Sequence, residues 1–185
     1  GTPVLATSVT LNPTALRDVC SELLIMPESS FFLNLGNDHP NISMSVHRMK
    51  SASDYDTLKL HLNLQAMTPE KLPKTIIFMN TIKAAQHGCR FIKNPFPEHM
   101  HDYIDCMYAH RSYWDKRKVV QRFWTGKVCI LIATEAAGMG ADIPDIEVTI
   151  QFGIPSSLSV FKQHIGHAGR SPDICACAIL LVEEK

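Results

Sequence analysis

The sequence predicts an α/β protein whose core is a doubly wound, mainly parallel sheet. Strand-like and helix-like segments alternate along most of the 185 residues. The strand-like segments include continuous apolar runs of the length of buried strands, and the segments between them have helical periodicity. Because parallel strands need long, usually helical crossovers, this alternation favours one sheet covered by helices on both faces.

The amino-terminal part of the chain is predicted to form a separate, smaller region. Residues 3–11 have the pattern of a short buried strand and turn, and residues 13–24 that of a helix. Asn12 is suited to be the N-cap of this helix, with Pro13 at its first position. A polar stretch interrupted by proline and glycine then has the composition of a linker. The two predicted domains are residues 1–37 and residues 38–185.

Beyond the linker, each element follows from its local pattern. Residues 42–49 alternate as a strand, whereas residues 75–79 and 128–133 are continuous apolar runs, as in buried strands. Two prolines make residues 94–102 a loop. The predicted strands are residues 42–49, 75–79, 103–108, 128–133, 147–152 and 175–182. The predicted helices are residues 54–66 with Ser53 as N-cap, 82–92, 113–124 and 157–165.

Composition and charge exclude several classes of protein. Hydrophobic residues make up 45% of the chain, as in an ordinary soluble globular protein. No apolar run reaches the roughly 18–20 residues of a membrane-spanning helix. The formal net charge is zero, which argues against a uniformly basic surface but leaves a local basic groove open. The chain opens without a methionine or a signal-like segment, which predicts a fragment of an intracellular protein.

The cysteines and histidines give no metal-binding pattern. The six cysteines fit no zinc template, and Cys175 and Cys177 lie in an alternating apolar run. We therefore expect reduced core cysteines rather than zinc ligands or disulfides. His99 and His101 alternate on a loop next to Asp102, a spacing more often found at solvated positions than in metal sites. The sequence predicts no bound metal within this chain.

A glycine-rich segment follows the strand at residues 128–133. Parallel α/β sheets place ligands at the carboxyl ends of their strands, so the loops there are the first places to look for a site. Gly138 and Gly140 permit close backbone approach to a phosphate or ribose, and Asp142 can accept a hydrogen bond from a hydroxyl. Thr134 offers a hydroxyl to a nucleic-acid phosphate. A bare Gly-x-Gly is more often only a turn, so the interpretation needs the whole segment.

A second segment, residues 163–170, reads Gln-His-Ile-Gly-His-Ala-Gly-Arg. Together with residues 133–142 it resembles motifs V and VI of the second motor lobe of superfamily-two helicases. The motif VI pattern of those proteins is Gln-Arg-x-Gly-Arg-x-Gly-Arg, and this chain has His164 and His167 in the places of two arginines. A histidine of unperturbed pKa, about 6.5, is mostly neutral at physiological pH. We interpret both histidines as simple surface polarity.

The resemblance extends over most of the chain and is greatest to the RecQ family of DNA helicases. It implies a RecA-like lobe of the P-loop NTPase type for residues 38–185, preceded by a remnant of the first lobe in residues 1–37. The Gly-x-x-x-x-Gly-Lys-Ser/Thr phosphate loop and the Asp-Glu-x-His string of the first lobe do not occur in this sequence. Segments similar to the other motifs stand in the family's order, namely Ser8-Val-Thr10, His39-Pro-Asn41, Lys74–Thr81 and Tyr108-Ala-His-Arg111.

The resemblance also implies roles for particular residues. Arg170 would be the catalytic arginine, whose guanidinium stabilises charge on the γ-phosphate. The implied nucleotide-binding residues are Gly140, Asp142, Gln163 and Arg170. The implied nucleic-acid-binding residues are Asn80, Thr81, Tyr108, His110, Arg111, Thr134, Glu135 and Gly138. ATP and Mg²⁺ would be bound mainly by the first lobe; the partners would be DNA and that lobe, without zinc or a membrane.

A basic stretch precedes the glycine-rich segment, on and around the predicted helix 113–124. It is either a solvated helix face or a contact with the DNA backbone. Tyr108, Tyr113 and Trp114 can stack on bases, although we expect Trp114 to lie partly in the core. The buried stripe of the helix is predicted to consist of Val119, Val120, Phe123 and Trp124. The cations are Arg111, Lys116, Arg117, Lys118, Arg122 and Lys127.

Three functions remain open from the sequence. The first is the C-terminal motor lobe of a RecQ-type 3′–5′ DNA helicase, nuclear or bacterial-cytoplasmic, in DNA repair or recombination. The second is a catalytically inactive nucleic-acid-binding or interaction module, motivated by the two histidines and the zero net charge. The third is an RNA helicase lobe, against which Gln163 counts because motif VI there usually begins with histidine. Taken alone, the chain is expected to hydrolyse no ATP.

Overall fold

The computed structural model describes residues 3–8, 12–34, 36, 39–135, 143–171 and 173–184. The chain divides into two compact units, Gly1–His39 and Pro40–Lys185. The origin of the first unit in a preceding lobe stays a prediction.

The first unit contains one α-helix, α1 (Pro13–Glu22), among its described residues. As predicted, Asn12 caps this helix, because its side-chain oxygen accepts a hydrogen bond from the Ala15 N–H at 2.8 Å. The strand predicted before it is wrong over residues 3–8, which are exposed and irregular; residues 9–11 lie outside the described residues. No strand within the described part of this unit offers the backbone groups of residues 3–8 a partner.

The second unit is built on a six-stranded parallel sheet in the order β1-β6-β5-β2-β4-β3. The strands are β1 (Ile42–Met49), β2 (Thr75–Met79), β3 (Ile104–Met107), β4 (Ile130–Thr134), β5 (Val148–Phe152) and β6 (Ala176–Glu183). The helices among its described residues are α2 (Tyr55–Lys59), α3 (Ile82–Lys93), α4 (Tyr113–Trp124) and α5 (Leu158–Ile165). The predicted α/β class with a parallel, doubly wound sheet is confirmed.

Two hydrophobic clusters, one on each face of the sheet, form the core. The first joins Ile77 and Met79 of β2 to residues of α2 and α3, including Ile92. The second joins Phe78, on the opposite face of β2, to α4 and α5 through residues such as Phe123. Because neighbouring residues of one strand point to opposite faces, the apolar run of β2 supplies both clusters. At the sheet edge, β1 leaves its six central residues exposed.

The predicted helix 54–66 is much shorter in the structure and begins at a different residue. It ends at Lys59, and residues 60–66 form turns. Its N-cap is Asp54 rather than Ser53, and the carboxylate accepts hydrogen bonds from the Lys50 N–H at 3.0 Å and the Thr57 N–H at 3.2 Å. These hydrogen bonds hold the pKa of Asp54 below its usual value, and the bond from Lys50 has the largest effect.

Two expectations about aromatic and sulfur side chains are also wrong. Trp114 and Trp124 are 74% and 58% exposed, because Val119 and Phe123 fill the narrow buried stripe of α4. Cys175 and Cys177 are exposed rather than in the core. Cys177 lies in register with Ser43 of the exposed edge strand β1, where the sheet is least covered.

Candidate functional site

Most of the candidate nucleic-acid-binding residues lie at one edge of the sheet, where the carboxyl ends of β2, β4 and β3 meet. We call this the carboxyl edge. Thr134 lies in register with Met79, the residue before Asn80, and Met107 at the end of β3 lies in register with Ala133. The residues gathered there are Asn80, Thr81, Tyr108, His110, Arg111, Thr134 and Glu135. Gly138 belongs to residues 136–142, which lie outside the described residues.

Thr134 holds a buried hydroxyl at this edge. The residue is 7% exposed, and its Oγ1 has no hydrogen-bond partner among the described residues. Nearby polar groups are already engaged: Thr81 Oγ1 caps α3 by accepting from the Ala84 N–H at 3.1 Å, and Glu135 accepts from Ser156 at 3.4 Å. A buried hydroxyl without a partner is costly, so an added acceptor or donor at this point would be favourable.

Arg111 turns away from this edge and back along β3. Its guanidinium forms an ion pair with Asp105 at 3.1 Å and donates to the Cys106 carbonyl. Asp105 also pairs with Arg122 of α4 at 3.3 Å. The structure thus assigns Arg111 a contact within the protein, and binding of a phosphate would have to compete with Asp105.

A chain of polar side chains runs from exposed Asn80 into the core through Gln151 to His164. Asn80 donates to the Ile154 carbonyl at 2.8 Å and accepts from Gln151 Nε2 at 3.0 Å. Gln151 is 1% exposed, and its Oε1 lies 2.7 Å from Nδ1 of His164. The amide and ring thereby satisfy polar groups that would otherwise be unpaired in the core.

Both histidines are buried, so the interpretation as surface polarity is wrong. His164 and His167 are 4% and 5% exposed, and the ring of His164 stacks on Phe78 with centroids 3.7 Å apart and an interplanar angle of 1°. Burial, with a smaller effect from the charge of neighbouring His167, lowers the pKa of His164 to about 4. Burial, with a smaller effect from the charge of Arg170, lowers the pKa of His167 to about 4. Both rings are therefore neutral at physiological pH.

Arg170 lies at the opposite, amino edge of the sheet. The backbone N–H of Gly169 donates to Ile146, just before β5, at 2.9 Å, and its carbonyl accepts from Asn41, just before β1, at 2.7 Å. Helix α5 starts after the carboxyl end of β5 and runs back across the sheet, which carries its last residues to this edge. Of the candidate site residues, Arg170 thus lies away from the carboxyl ends of the strands.

The guanidinium of Arg170 is exposed but held on both sides. Its Nε donates to the Gly166 carbonyl at 3.3 Å, and a terminal nitrogen lies 3.2 Å from Nδ1 of His167. Since the His167 ring is neutral, Nδ1 can accept this hydrogen bond. Gly169, at φ +59°, has the left-handed conformation that favours glycine, and an added Cβ would lie 2.8 Å from the Asn41 side chain.

The remaining candidate nucleotide-binding residues are less constrained by the structure. Gln163 is exposed on α5. Gly140 and Asp142 lie outside the described residues, and Ile143, which follows Asp142, is buried at 3% exposure. Among the residues that the structure describes, no three His, Cys, Asp or Glu side chains come together as a possible metal site. In the described part of the chain, no helix has the length and apolar character needed to cross a bilayer.

Sequence reasoning missed Gln151 and Asn41. Gln151 is the only polar amide in an apolar strand, a signal that a buried partner such as His164 was required. Asn41 bonds the carbonyls of Gly169 at 2.7 Å and Ile174 at 3.0 Å. Its signals were its place in the motif-like segment His39-Pro-Asn41 and its position before the strand of residues 42–49, and neither identified this role.

Known proteins that are similar to this chain include helicases. The "DEAD-box ATP-dependent RNA helicase 40" of Arabidopsis thaliana is 26% identical over 160 residues, which are 86% of this chain and 14% of that protein. The "Probable ATP-dependent DNA helicase RecS" of Bacillus subtilis (strain 168) is 29% identical over 170 residues, 91% of this chain and 32% of that protein. The chain thus spans less than a third of either relative.

A solved structure, "S. cerevisiae Dbp5 bound to RNA and ADP BeF3", shares the fold with a TM-score of 0.73 at 19% identity, over 95% of this chain and 44% of that one. A model of the "Helicase conserved C-terminal domain" matches residues 56–172. Because this match covers more than half of the sequence, the chain belongs to the helicase conserved C-terminal domain family.

Proposed function

We propose that this chain is the C-terminal motor lobe of an ATP-dependent, RecQ-type DNA helicase. In this role it binds DNA at the carboxyl edge of the sheet and completes an ATP site at the amino edge, together with a first lobe. The observation that carries the proposal is the fixed, exposed guanidinium of Arg170, held by Gly166 and His167 on a loop anchored at Ile146 and Asn41.

The chemistry of Arg170 suits a triphosphate. A forked, permanently charged guanidinium stabilises negative charge that develops as a phosphoryl group is transferred. When bound, ATP supplies the phosphoryl group and Mg²⁺ neutralises part of its charge. Gly140, Asp142 and Gln163 are the further proposed nucleotide contacts, while the phosphate loop and the Mg²⁺ ligands belong to the first lobe. Closure of the two lobes would bring Arg170 to the γ-phosphate, and hydrolysis would release it.

His167 has a different task from the arginine usual at its position. Its ring is buried and neutral, so it cannot supply a second positive charge to ATP. It lies 3.2 Å from the Arg170 guanidinium and helps to orient it. The proposed site therefore works with one cationic group from this lobe.

Binding of nucleic acid is proposed for the carboxyl edge, where the Thr134 hydroxyl has no partner in the described part of the chain and Asn80 and Thr81 follow β2. Gln163 at the start of the motif and the similarity to RecS support DNA as the substrate. The similarity to RNA helicases such as the Arabidopsis protein supports RNA as the second candidate. Action on DNA would place the protein in a nucleus, or in the cytoplasm of a bacterium.

A catalytically inactive, nucleic-acid-binding module is a further candidate. The observation that favours it is the burial of His164 and His167 in neutral form, which leaves Arg170 as the cation of the motif. Both candidates predict weak, salt-sensitive binding of single-stranded DNA, because contacts to phosphate release counterions.

A chimera tests the proposal. The matching segment of RecS is replaced by this chain, and ATP turnover stimulated by single-stranded DNA is measured. We expect turnover in the chimera and a loss of about 10³-fold or more in its Arg170→Ala variant. Arg48→Ala, an exposed arginine far from the motif, is the matched control and should retain the turnover.

The outcomes separate the two candidates. Turnover that depends on Arg170 supports the motor lobe, and the isolated 185-residue chain should hydrolyse no ATP. A folded chimera that hydrolyses ATP only after His164→Arg and His167→Arg are introduced supports the inactive module instead. Parallel assays with DNA and RNA oligonucleotides identify the substrate, and stimulation by RNA alone would contradict the RecQ assignment.

A further inference from the structure

An exposed aromatic pair stands on the first turn of α4. Tyr113 and Trp114 are 64% and 74% exposed, and their ring centroids are 5.5 Å apart with the planes at 74°. Two large aromatic side chains side by side in solvent bury little apolar area within this chain. Neither belongs to the two hydrophobic clusters of the core, so packing within the fold does not account for them.

The aromatic pair is partly preorganised. The guanidinium carbon of Arg117 lies 5.8 Å from the centre of the Tyr113 ring, and one of its nitrogens donates to the Tyr113 hydroxyl at 3.4 Å. This contact over one helical turn restrains Tyr113, against which Trp114 rests edge to face. A ligand that stacks on the exposed indole therefore meets a surface that has already lost part of its conformational freedom.

The charge around the pair is positive and available. Lys116, Arg117 and Lys118 form no ion pair with the described residues. The acid of this turn, Asp115, is occupied at the start of the helix, where it accepts from the Ser112 hydroxyl at 2.7 Å. Stacking surfaces beside unpaired cations are the combination by which proteins bind single-stranded nucleic acid.

The position of the pair agrees with this ligand. Helix α4 follows the carboxyl end of β3, so Tyr113 and Trp114 stand at the same edge of the sheet as Thr134. The other end of α4 reaches the amino edge, where the carbonyl of Trp124 accepts from Lys74, just before β2. The two tryptophans of the chain thus mark opposite ends of one helix, about 15 Å apart along its axis.

We infer that Tyr113 and Trp114 form a base-stacking surface that takes unpaired bases of a nucleic-acid strand bound at the carboxyl edge. Lys116, Arg117 and Lys118 contact the phosphates beside those bases. The inference rests on the proposed binding of nucleic acid by this lobe and adds the residues that recognise unpaired bases.

Tryptophan fluorescence of the 185-residue chain tests the inference, since the sequence has two tryptophans. Oligo-dT and oligo-U of about ten nucleotides are titrated at low salt into Trp124→Phe, in which Trp114 is the reporter, and into Trp114→Phe, in which Trp124 is. We expect quenching in the first variant and none in the second. Fluorescence anisotropy of a labelled oligonucleotide establishes saturation independently.

Affinity measurements separate stacking from charge. Trp114→Ala should weaken binding about 5- to 100-fold, whereas Trp114→Phe keeps a stacking ring and should lose less. Trp124→Ala is the matched control and should bind like the parent chain. Trp114→Ala should leave the dependence of affinity on salt unchanged, while Lys118→Ala should lower that slope.

Two results would overturn the inference in distinguishable ways. If the oligonucleotide saturates the chain but Trp114 fluorescence and the affinity of Trp114→Ala are unchanged, the stacking surface is wrong and the proposed function stands. If neither oligonucleotide binds at low salt, the stacking surface and the proposed binding edge both fail.

Discussion

The two edges of the sheet satisfy their polar groups differently. At the amino edge, Asn41, Lys74 and Arg170 are each tied to groups of the same chain. At the carboxyl edge, the Thr134 hydroxyl lacks a partner among the described residues, and Trp114 stands in solvent. Of these groups, those at the amino edge are held in place by the chain itself, whereas those at the carboxyl edge are left for a ligand to satisfy.

Helix α5 connects the edges. It begins after the carboxyl end of β5 and carries buried His164 near its last residue; buried His167 and then Arg170 follow just beyond the helix. Both rings lie near Phe78, which His164 stacks on and His167 approaches at 5.6 Å between ring centroids. Contacts continue from Gln151 to His164, and from His167 to Arg170, with Phe78 beside both rings. Protonation of the two rings is therefore the most direct way to disturb both edges together.

The largest effect is expected from acid. The folded chain holds His164 and His167 with pKa values of about 4, while the unfolded chain binds their protons below about pH 6.5. Stability is therefore full above pH 6.5 and lost as the pH falls towards 4. Between pH 7 and pH 5, chemical denaturation should show a loss of about 2 kcal/mol for each histidine.

Variants identify the source of this acid sensitivity. His164→Gln and His167→Gln should each remove about half of it, and His110→Gln, an exposed histidine at the carboxyl edge, should leave it in place. An unchanged pH dependence in His164→Gln would show that its ring is not held neutral in the core.

A second comparison replaces one asparagine at each edge. Asn41→Ala leaves the carbonyls of Gly169 and Ile174 unpaired and should lower the free energy of unfolding by about 2–3 kcal/mol. Asn80→Ala, at an exposed residue, should cost about 0.5–1 kcal/mol. Urea denaturation measures both, and an equal loss would contradict the stronger self-pairing of the amino edge.

The smallest effect is expected at the more exposed of two ion pairs. Lys74 is 7% exposed and bonds Asp145 at 2.7 Å and the Trp124 carbonyl at 3.1 Å. Lys74→Met keeps the length of the side chain and should cost about 1–3 kcal/mol, less than a fully buried pair because Asp145 is half exposed. Arg48→Met, which breaks an exposed pair with Glu184, should cost less than about 0.5 kcal/mol. Thermal unfolding of the two variants compares them directly.

Much of the fold was predictable because it rests on local patterns. The apolar runs of β2 and β4 have the composition of strands buried on both faces, and those strands are central in the sheet. The helices after β2 and β3 follow from their caps, since Thr81 and Ser112 stand directly before them. The short α2 could not be predicted, because residues 60–66 have helical periodicity but fold into turns.

The candidate site residues follow from motif order, but their surroundings could not be predicted. Motif order led to Thr134 and Arg170, whereas the burial of His164 depends on Gln151, which the topology places against it. The edge on which Arg170 lies could have been predicted. A helix that follows a parallel strand returns to the opposite end of the sheet, so a residue just beyond its last turn must lie at the amino edge.

The pairing of β1 with β6 has a consequence for synthesis on the ribosome. Ser43 meets Cys177, a partner 134 positions later in the chain. At about 5–20 residues per second, translation supplies that partner roughly 7–27 seconds after β1 has been made. Met44 and Val46, exposed even in the finished sheet, are then open on a strand without a neighbour. Molecular chaperones would find a binding point on the nascent chain there.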